Sequence, residues 1–506
     1  MPGGNQIGRH ITANDDPSFP WLAEPEPLAW LKALPYYPWL VVGTVCVGAF
    51  MGQLDASIAQ LVLPTLEEVF RAAFSTVEWV ALAYLLTLAA LLAPVGRLAD
   101  MMGRKLLYTV GFLVFVAGSA LCGAAPGLAF LIGARILQAA GAALLQANSV
   151  AIVTAAAGPK RRGRAIGIQG AAQAIGLSVG PALGGLLISA IGWRWVFFIN
   201  IPVGIIGAAL GWIILPTTSG LRGRQRFDLP GTVTLAGAFV ALLVALSKGQ
   251  TWGWLSPRTV LLTVAAVLLA AIFVYRERHT PSPVVDLSLF RIRSFTMGNL
   301  TGLLAYAVTF GVFLLVPFDL ERVQGDSPLL AGGLLTAVPV ALGIVAPLSG
   351  AWSDRVGARL PTATGMLIAA AALVALALVA GGRDGALMIP ALLALGGGLG
   401  LFTPANNSAI MGSAPLGRLG VAGGVLNMMR SLGTSLGVAF AGTALAVTLQ
   451  VLFGHGETTL TASPAQVAVA MRVALLCMAG LALLAGVLSV PRGGSRSTAD
   501  VPVLEC

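Results

Sequence analysis

Gly96-Arg97-Leu98-Ala99-Asp100-Met101-Met102-Gly103-Arg104-Lys105 lies between two long apolar runs, and a degenerate copy returns as Gly350-Ala351-Trp352-Ser353-Asp354-Arg355-Val356-Gly357-Ala358-Arg359. Both read G-x-x-x-D-x-x-G with a cation close behind. A charged tight turn that occurs once in each half points to a duplicated chain, and the apolar runs around it point to a membrane. Composition agrees. The chain is 57% hydrophobic and 10% charged, against about 25% charged for a soluble protein. Its net charge of +10 is scattered through short loops rather than gathered on one face or tail, so no nucleic-acid partner is expected. The partner of most of the surface is the lipid bilayer.

A helix needs about 20 apolar residues to cross the hydrocarbon core. Such runs fall near 38–63, 76–96, 106–125, 128–150, 165–190, 195–215, 230–247, 259–275, 296–318, 331–352, 361–380, 386–410, 420–447 and 467–489, about 14 spans. With the N-terminus in the cytosol, Lys and Arg fall about threefold in excess on the cytosolic side. Losing one span would invert every later loop and destroy that asymmetry. A cell-membrane protein with both termini cytosolic is the expectation.

The two turns follow the second and tenth spans, whereas two six-helix halves would place them after the second and eighth. The pair 230–247 and 259–275 therefore reads as an insertion, flanked by polar Arg222–Asp228 and Arg276–Asp286. The expected fold is an all-α integral membrane protein. A cytosolic tail covers 1–37, a six-helix bundle 38–215, a linker with the inserted pair 216–290, a second six-helix bundle 291–490 and a cytosolic tail 491–506. A parallel repeat of two halves about a central pathway is a transporter architecture.

Asp55 is the costliest residue in this reading, because it lies about 24 Å along the first span. A carboxylate there must face water or a partner. Burial favours its protonated form and a nearby cation its charged form, so it is suited to proton coupling. Arg135 lies about 12 Å below the outer end of the fourth span, within one or two turns of the same depth, and is its candidate partner.

Gln53, Gln60, Gln138, Gln169, Gln173, Asn427 and Arg430 are candidates to line a cavity, with Gln146, Asn148, Asn299, Asn406 and Asn407 as weaker ones. Asp319 and Glu321 read as a solvated helix end.

Other chemistry is not supported. Cys46, Cys122, Cys477 and Cys506 form no paired motif, so neither a disulfide framework nor a metal site is expected. Gly176-Leu177-Ser178-Val179-Gly180 matches the hydrolase G-x-S-x-G pattern, but inside a helical run instead of a strand-to-helix elbow. No phosphate loop occurs, so an ATP-driven pump is not expected and energy must come from an ion gradient. No cofactor is expected.

With its first-loop turn and duplicated halves, the chain resembles the major facilitator superfamily, and within it the 14-span drug:proton antiporter branch. The resemblance runs from Leu54 to about Val490. Its first-loop motif is matched by Gly96 through Lys105. Its fourth-span motif R-x-x-Q-G is approached by Arg135-Ile136-Leu137-Gln138-Ala139. Its fifth-span exporter motif is complete at Gly176, Gly180, Pro181, Gly184 and Gly185. The first-span signature of the branch is similar to Leu54-Asp55-Ala56-Ser57-Ile58-Ala59-Gln60-Leu61-Val62-Leu63-Pro64, with Gln60 in place of the usual Asn. Trp193-Arg194-Trp195-Val196-Phe197-Phe198-Ile199-Asn200-Ile201-Pro202 also looks like the branch.

The resemblance implies proton-coupled export of amphipathic small molecules, cations included, by alternating access in a monomer. Proton coupling would rest on Asp55 as the protonation site, with Arg135 tuning its pKa. Gly96, Arg97, Asp100, Gly103, Arg104, Lys105, Gly350, Asp354 and Gly357 would form the cytosolic gate. There Asp100 caps a neighbouring helix or pairs with a cation of the other half, while Arg97, Arg104 and Lys105 hold the loop at the membrane surface. The competing readings are an importer of a small nutrient, a lipid exporter, and a non-transporting receptor or embedded enzyme.

Overall fold

In hydrocarbon a backbone N–H or C=O has no water to bond, so each apolar run closes its hydrogen bonds along itself as a helix. The computed structural model describes residues 24–72, 74–77, 79–218, 227–280, 283–325, 328–382, 385–415, 418–453 and 462–490. Among these, 14 helices are long and apolar enough to cross a membrane, and no strand occurs.

The first six are α1 (Tyr37–Leu61), α2 (Trp79–Met102), α3 (Arg104–Gly123), α4 (Leu128–Ala157), α5 (Arg162–Ala190) and α6 (Asn200–Ile214, after a short turn Trp195–Phe198). The inserted pair is α7 (Leu229–Trp252) and α8 (Pro257–His279). The last six are α9 (Arg293–Asp319), α10 (Ala337–Val356, after Pro328–Leu335), α11 (Arg359–Val379), α12 (Gly385–Ser413), α13 (Leu419–Phe453) and α14 (Pro464–Ser489).

Several helices outrun their apolar stretches. α4 continues to Ala157 and α13 to Phe453, because a helix already formed adds one backbone bond per residue with no need of an apolar side chain. Their starts follow local chemistry. The Asp228 side chain accepts from the Gly231 N–H beside Pro230, Ser256 caps the start of α8 beside Pro257, and Ser463 with Gln466 forms a capping box at α14.

α1–α6 pack as one bundle and α9–α14 as another, and the halves meet where α5 crosses α10 and α2 crosses α13. α7 packs on α8 and also reaches α2 and α13. α8 leaves Leu261, Val267, Leu268 and Tyr275 exposed, the face expected to meet lipid. The ends of α2, α4, α10 and α12 and the starts of α3, α5, α11 and α13 share the face of the N-terminus, called here the N-terminal face.

Candidate functional site

Asp55 points from α1 toward α4 and α6. Arg135 Nη1 donates to its Oδ2 at 2.8 Å, and Gln138 Nε2 and Asn200 Nδ2 donate to its Oδ1 at 2.8 and 2.9 Å. Arg135 also donates to Gln138 Oε1 and, through Nε, to the Val80 carbonyl at 3.2 Å. The side chains of Asp55 and Arg135 are both 1% exposed, so the ion pair is sealed from solvent. The Tyr84 ring lies 4.1 Å from the guanidinium carbon, and its hydroxyl finds no partner among the described residues. A charge so buried is tolerated because it is paired and its remaining lone pairs are hydrogen-bonded.

The glycines of α5 explain how α1 is held. A Cβ at Gly176 would sit 2.5 Å from the Phe50 carbonyl oxygen, and one at Gly180 would collide with the Ser57 side chain. These two glycines bracket the turn that carries Asp55. Gly184 is buried, whereas Gly185 faces open space and is not needed for close approach. The side chains of Pro181, Gln60 and Glu321 lie outside the described part. Ser178 donates to the Ala174 carbonyl within α5, so the G-x-S-x-G match is plain helix.

At the N-terminal face the two repeated turns do the same thing to opposite halves. Asp100 Oδ1 and Oδ2 accept from the Gly420 and Val421 N–H groups, each at 3.0 Å, at the start of α13. Asp354 accepts from the Gly163 and Arg164 N–H groups at 2.8 and 3.0 Å, at the start of α5. Each carboxylate thus caps a helix of the other half, where orphan N–H groups and the helix dipole favour negative charge. Backbones touch beside both caps: a Cβ at Gly96 would strike the Gly420 carbonyl, and one at Gly350 the Gly163 carbonyl. Gly103 (φ 109°) and Gly357 (φ 82°) take the turn conformations that L side chains avoid.

Two expectations about this turn need correction. Arg104 and Lys105 do not sit in solvent at the surface: they are 2% and 1% exposed. Arg104 pairs with Asp100 at 2.8 Å, and Lys105 Nζ donates to the Pro25 carbonyl at 2.6 Å. The second concerns the segment before α1, read only as a cytosolic tail, part of which packs on the bundle. Glu24 is buried, accepting from the Leu106 N–H at 3.1 Å and the Thr218 N–H at 2.6 Å, so it caps α3. Lys105, which looked like a surface anchor, is held by this strap. Arg97 is half-buried, in the field of Asp100 and Glu277 on one hand and Arg418 on the other.

A cavity of about 540 Å³ lies between the halves, lined by Gln53, Tyr84, Gln146, Phe310, Phe313 and Arg430 among others. Its walls come from the parts of α1, α2 and α9 remote from the N-terminal face. Two narrower cavities continue from it, one past Gln173, Tyr306 and Thr403 and one past Gln169, Asn407 and Asn427, and Arg430 lines all three.

Gln138 is therefore not a cavity residue as expected. It is fully buried beside Asp55 and also donates to Ser119 Oγ at 2.8 Å. Asn148 and Asn299 bond within their own helices, and Asn406 bonds the Gly298 carbonyl across to α9. Asp319 is not a solvated end either: it is 2% exposed, accepting from Gln324 Nε2 and the Gly381 N–H.

Asn200 and Tyr84 were missed. Asn200 had a signal, a lone amide opening an apolar run. Tyr84 had none, since an aromatic residue in a span is ordinary.

The family model of the Major Facilitator Superfamily matches residues 45–438. The chain is 35% identical over 449 residues to the riboflavin transporter RibZ of Clostridioides difficile (strain 630), covering 88% of this chain and 96% of the relative. It is 34% identical over 404 residues to the multidrug resistance protein Stp of Mycobacterium tuberculosis, covering 80% of this chain and 75% of the relative. Among solved structures, that of the human organic anion transporter MFSD10 matches with a TM-score of 0.64 at 16% identity, covering 89% of this chain and 99% of that one, a likeness of fold.

Proposed function

The chain belongs to the major facilitator superfamily, and we propose that within it the protein is a proton-coupled exporter of amphipathic small molecules, acting by alternating access. It works as a monomer in the cell membrane with both termini in the cytosol. The excess of Lys and Arg on the N-terminal face supports that orientation. A relative named as a multidrug resistance protein supports the efflux reading.

The observation that carries the proposal is the Asp55 cluster. Its carboxylate accepts from three side chains on two other helices while unprotonated. A proton on Asp55 turns one acceptor into a donor, removes the charge that Arg135 balances, and obliges α1, α4 and α6 to repack. Tyr84 lines the large cavity and also covers Arg135, so it links substrate space to the ion pair.

The caps formed by Asp100 and Asp354 hold the halves together at the cytosolic face while the cavity lies toward the outside. They form the latch of the outward-facing state.

Everted membrane vesicles, supplied with a panel of amphipathic compounds with and without a pH gradient, test the reading. The expected result is gradient-dependent accumulation of at least one compound. Transport that never depends on the gradient contradicts proton coupling. The similarity to a riboflavin transporter favours a second reading, proton-coupled uptake of a nutrient. Accumulation in right-side-out vesicles, driven by an inward proton gradient, would select it.

A further inference from the structure

We infer that the central cavity is built for aromatic anions and discriminates against cations. The inference rests on the transport reading only in taking this cavity as the substrate's place. Among the described residues that line the three connected cavities, Arg430 carries the one formal charge. It lies on α13, half-buried, where all three cavities meet. Its Nη1 donates to Gln173 Oε1 at 3.3 Å, and its guanidinium carbon lies 4.8 Å from the Tyr306 ring centroid. Among the described residues its remaining N–H groups find no acceptor. A guanidinium offers a planar fork of donors matched to a carboxylate, so an open fork facing a cavity is a recognition element awaiting an anion.

The described carboxylates near the pathway do not offset this charge. Asp55 is 2% exposed and spends its oxygens on Arg135, Gln138 and Asn200. Asp319 is buried and bonded to Gln324 and the Gly381 backbone. A cationic drug in the cavity would therefore meet a like charge with no counter-ion among the described residues, in surroundings where screening is weak.

The remaining walls specify the body of the ligand. Phe310 and Phe313, with ring centroids 5.7 Å apart, line both the large cavity and the narrower one beside it, which Tyr306 also lines. Gln53 lines both, and Gln173 the two narrower ones, with amides. A flat aromatic skeleton bearing a carboxylate or phenolate fits this arrangement: rings against rings, the anionic group on Arg430. A volume of about 540 Å³ accommodates a ligand of drug size.

A matched pair of dyes tests the assignment. Fluorescein is a xanthene with a carboxylate and a phenolate; a rhodamine ester is the same ring system with a fixed positive charge. The purified full-length protein in lipid nanodiscs is titrated with each at neutral pH, with fluorescence anisotropy as the readout. Fluorescein is expected to bind about tenfold or more tightly than the rhodamine ester. Arg430→Gln is expected to weaken fluorescein by about tenfold and to leave the rhodamine ester unchanged or tighter, with Arg430→Lys between.

The wild-type comparison needs no variant, so a misfolded variant cannot obscure it. A rhodamine ester that binds as tightly as fluorescein, or no fluorescein binding at all, overturns the inference. So does unchanged fluorescein affinity in Arg430→Gln that elutes as a monodisperse protein. No gradient is applied, so anion-selective binding without coupled flux would leave the inference standing and remove the antiport reading.

Discussion

Arg135 and Asp55 share one buried site, and each makes the other tolerable. Removing the cation leaves a carboxylate sealed from water and unpaired. Arg135→Ala is expected to cost about 3–5 kcal/mol, visible as a large loss of thermal stability in detergent. If it inserts, its transport must also show an altered pH profile; an unchanged profile would separate Arg135 from coupling. Asn200→Leu is a milder test. It removes one neutral donor to the carboxylate, so the pH profile of transport should differ from that of the wild type. An apolar residue of similar size keeps the packing, so a shift with little loss of stability is the expected signature. The sequence marked Asp55 and Arg135 because charges in spans are rare. It did not reveal that Gln138 belongs to their cluster instead of the cavity, since an amide in a helix looks the same whichever way it faces.

Helices meet in this molecule through glycine and through caps, and both kinds of contact can be broken singly. Gly180→Val would push α5 from α1 beside Ser57 and displace Asp55. We expect loss of transport with correct insertion, measured by flux and by surface labelling. Asp100→Asn keeps the shape but can accept fewer N–H bonds from α13 and loses the charge that suits a helix start. A loss of about 2 kcal/mol would shift the balance of outward and inward states by roughly thirtyfold. Cysteine pairs placed across the α2–α13 contact should then cross-link less readily; equal cross-linking and full transport would remove the latch. The repeated G-x-x-x-D-x-x-G turns were visible as a motif, and capping by Asp100 was foreseeable from charge and position. That each caps the opposite half, with Asp354 bonding the Gly163 and Arg164 N–H groups, required the tertiary arrangement, because no local pattern encodes a partner so distant in sequence.

Across the whole chain, the count of spans was legible because apolar length is a one-dimensional property. The inserted pair was legible from the spacing of the two turns. The cavity was not, since α1, α2, α4, α5, α9, α10 and α13 all contribute to its walls. The strap around Glu24 was equally hidden, because an acidic, Pro-rich stretch gives no hint that one carboxylate will cap α3. On the proposed function the molecule has two separable tasks: the latch and cavity would allow exchange of substrate across the membrane, and the Asp55 cluster would tie that exchange to a proton. One measurement divides them: transport of the same compound in proteoliposomes under two regimes, equilibrium exchange without a gradient and accumulation driven by a pH gradient, in the wild type and in Asp55→Asn. Asp55→Asn is expected to retain exchange and lose gradient-driven accumulation. Accumulation by Asp55→Asn at the wild-type level would contradict the proposed coupling.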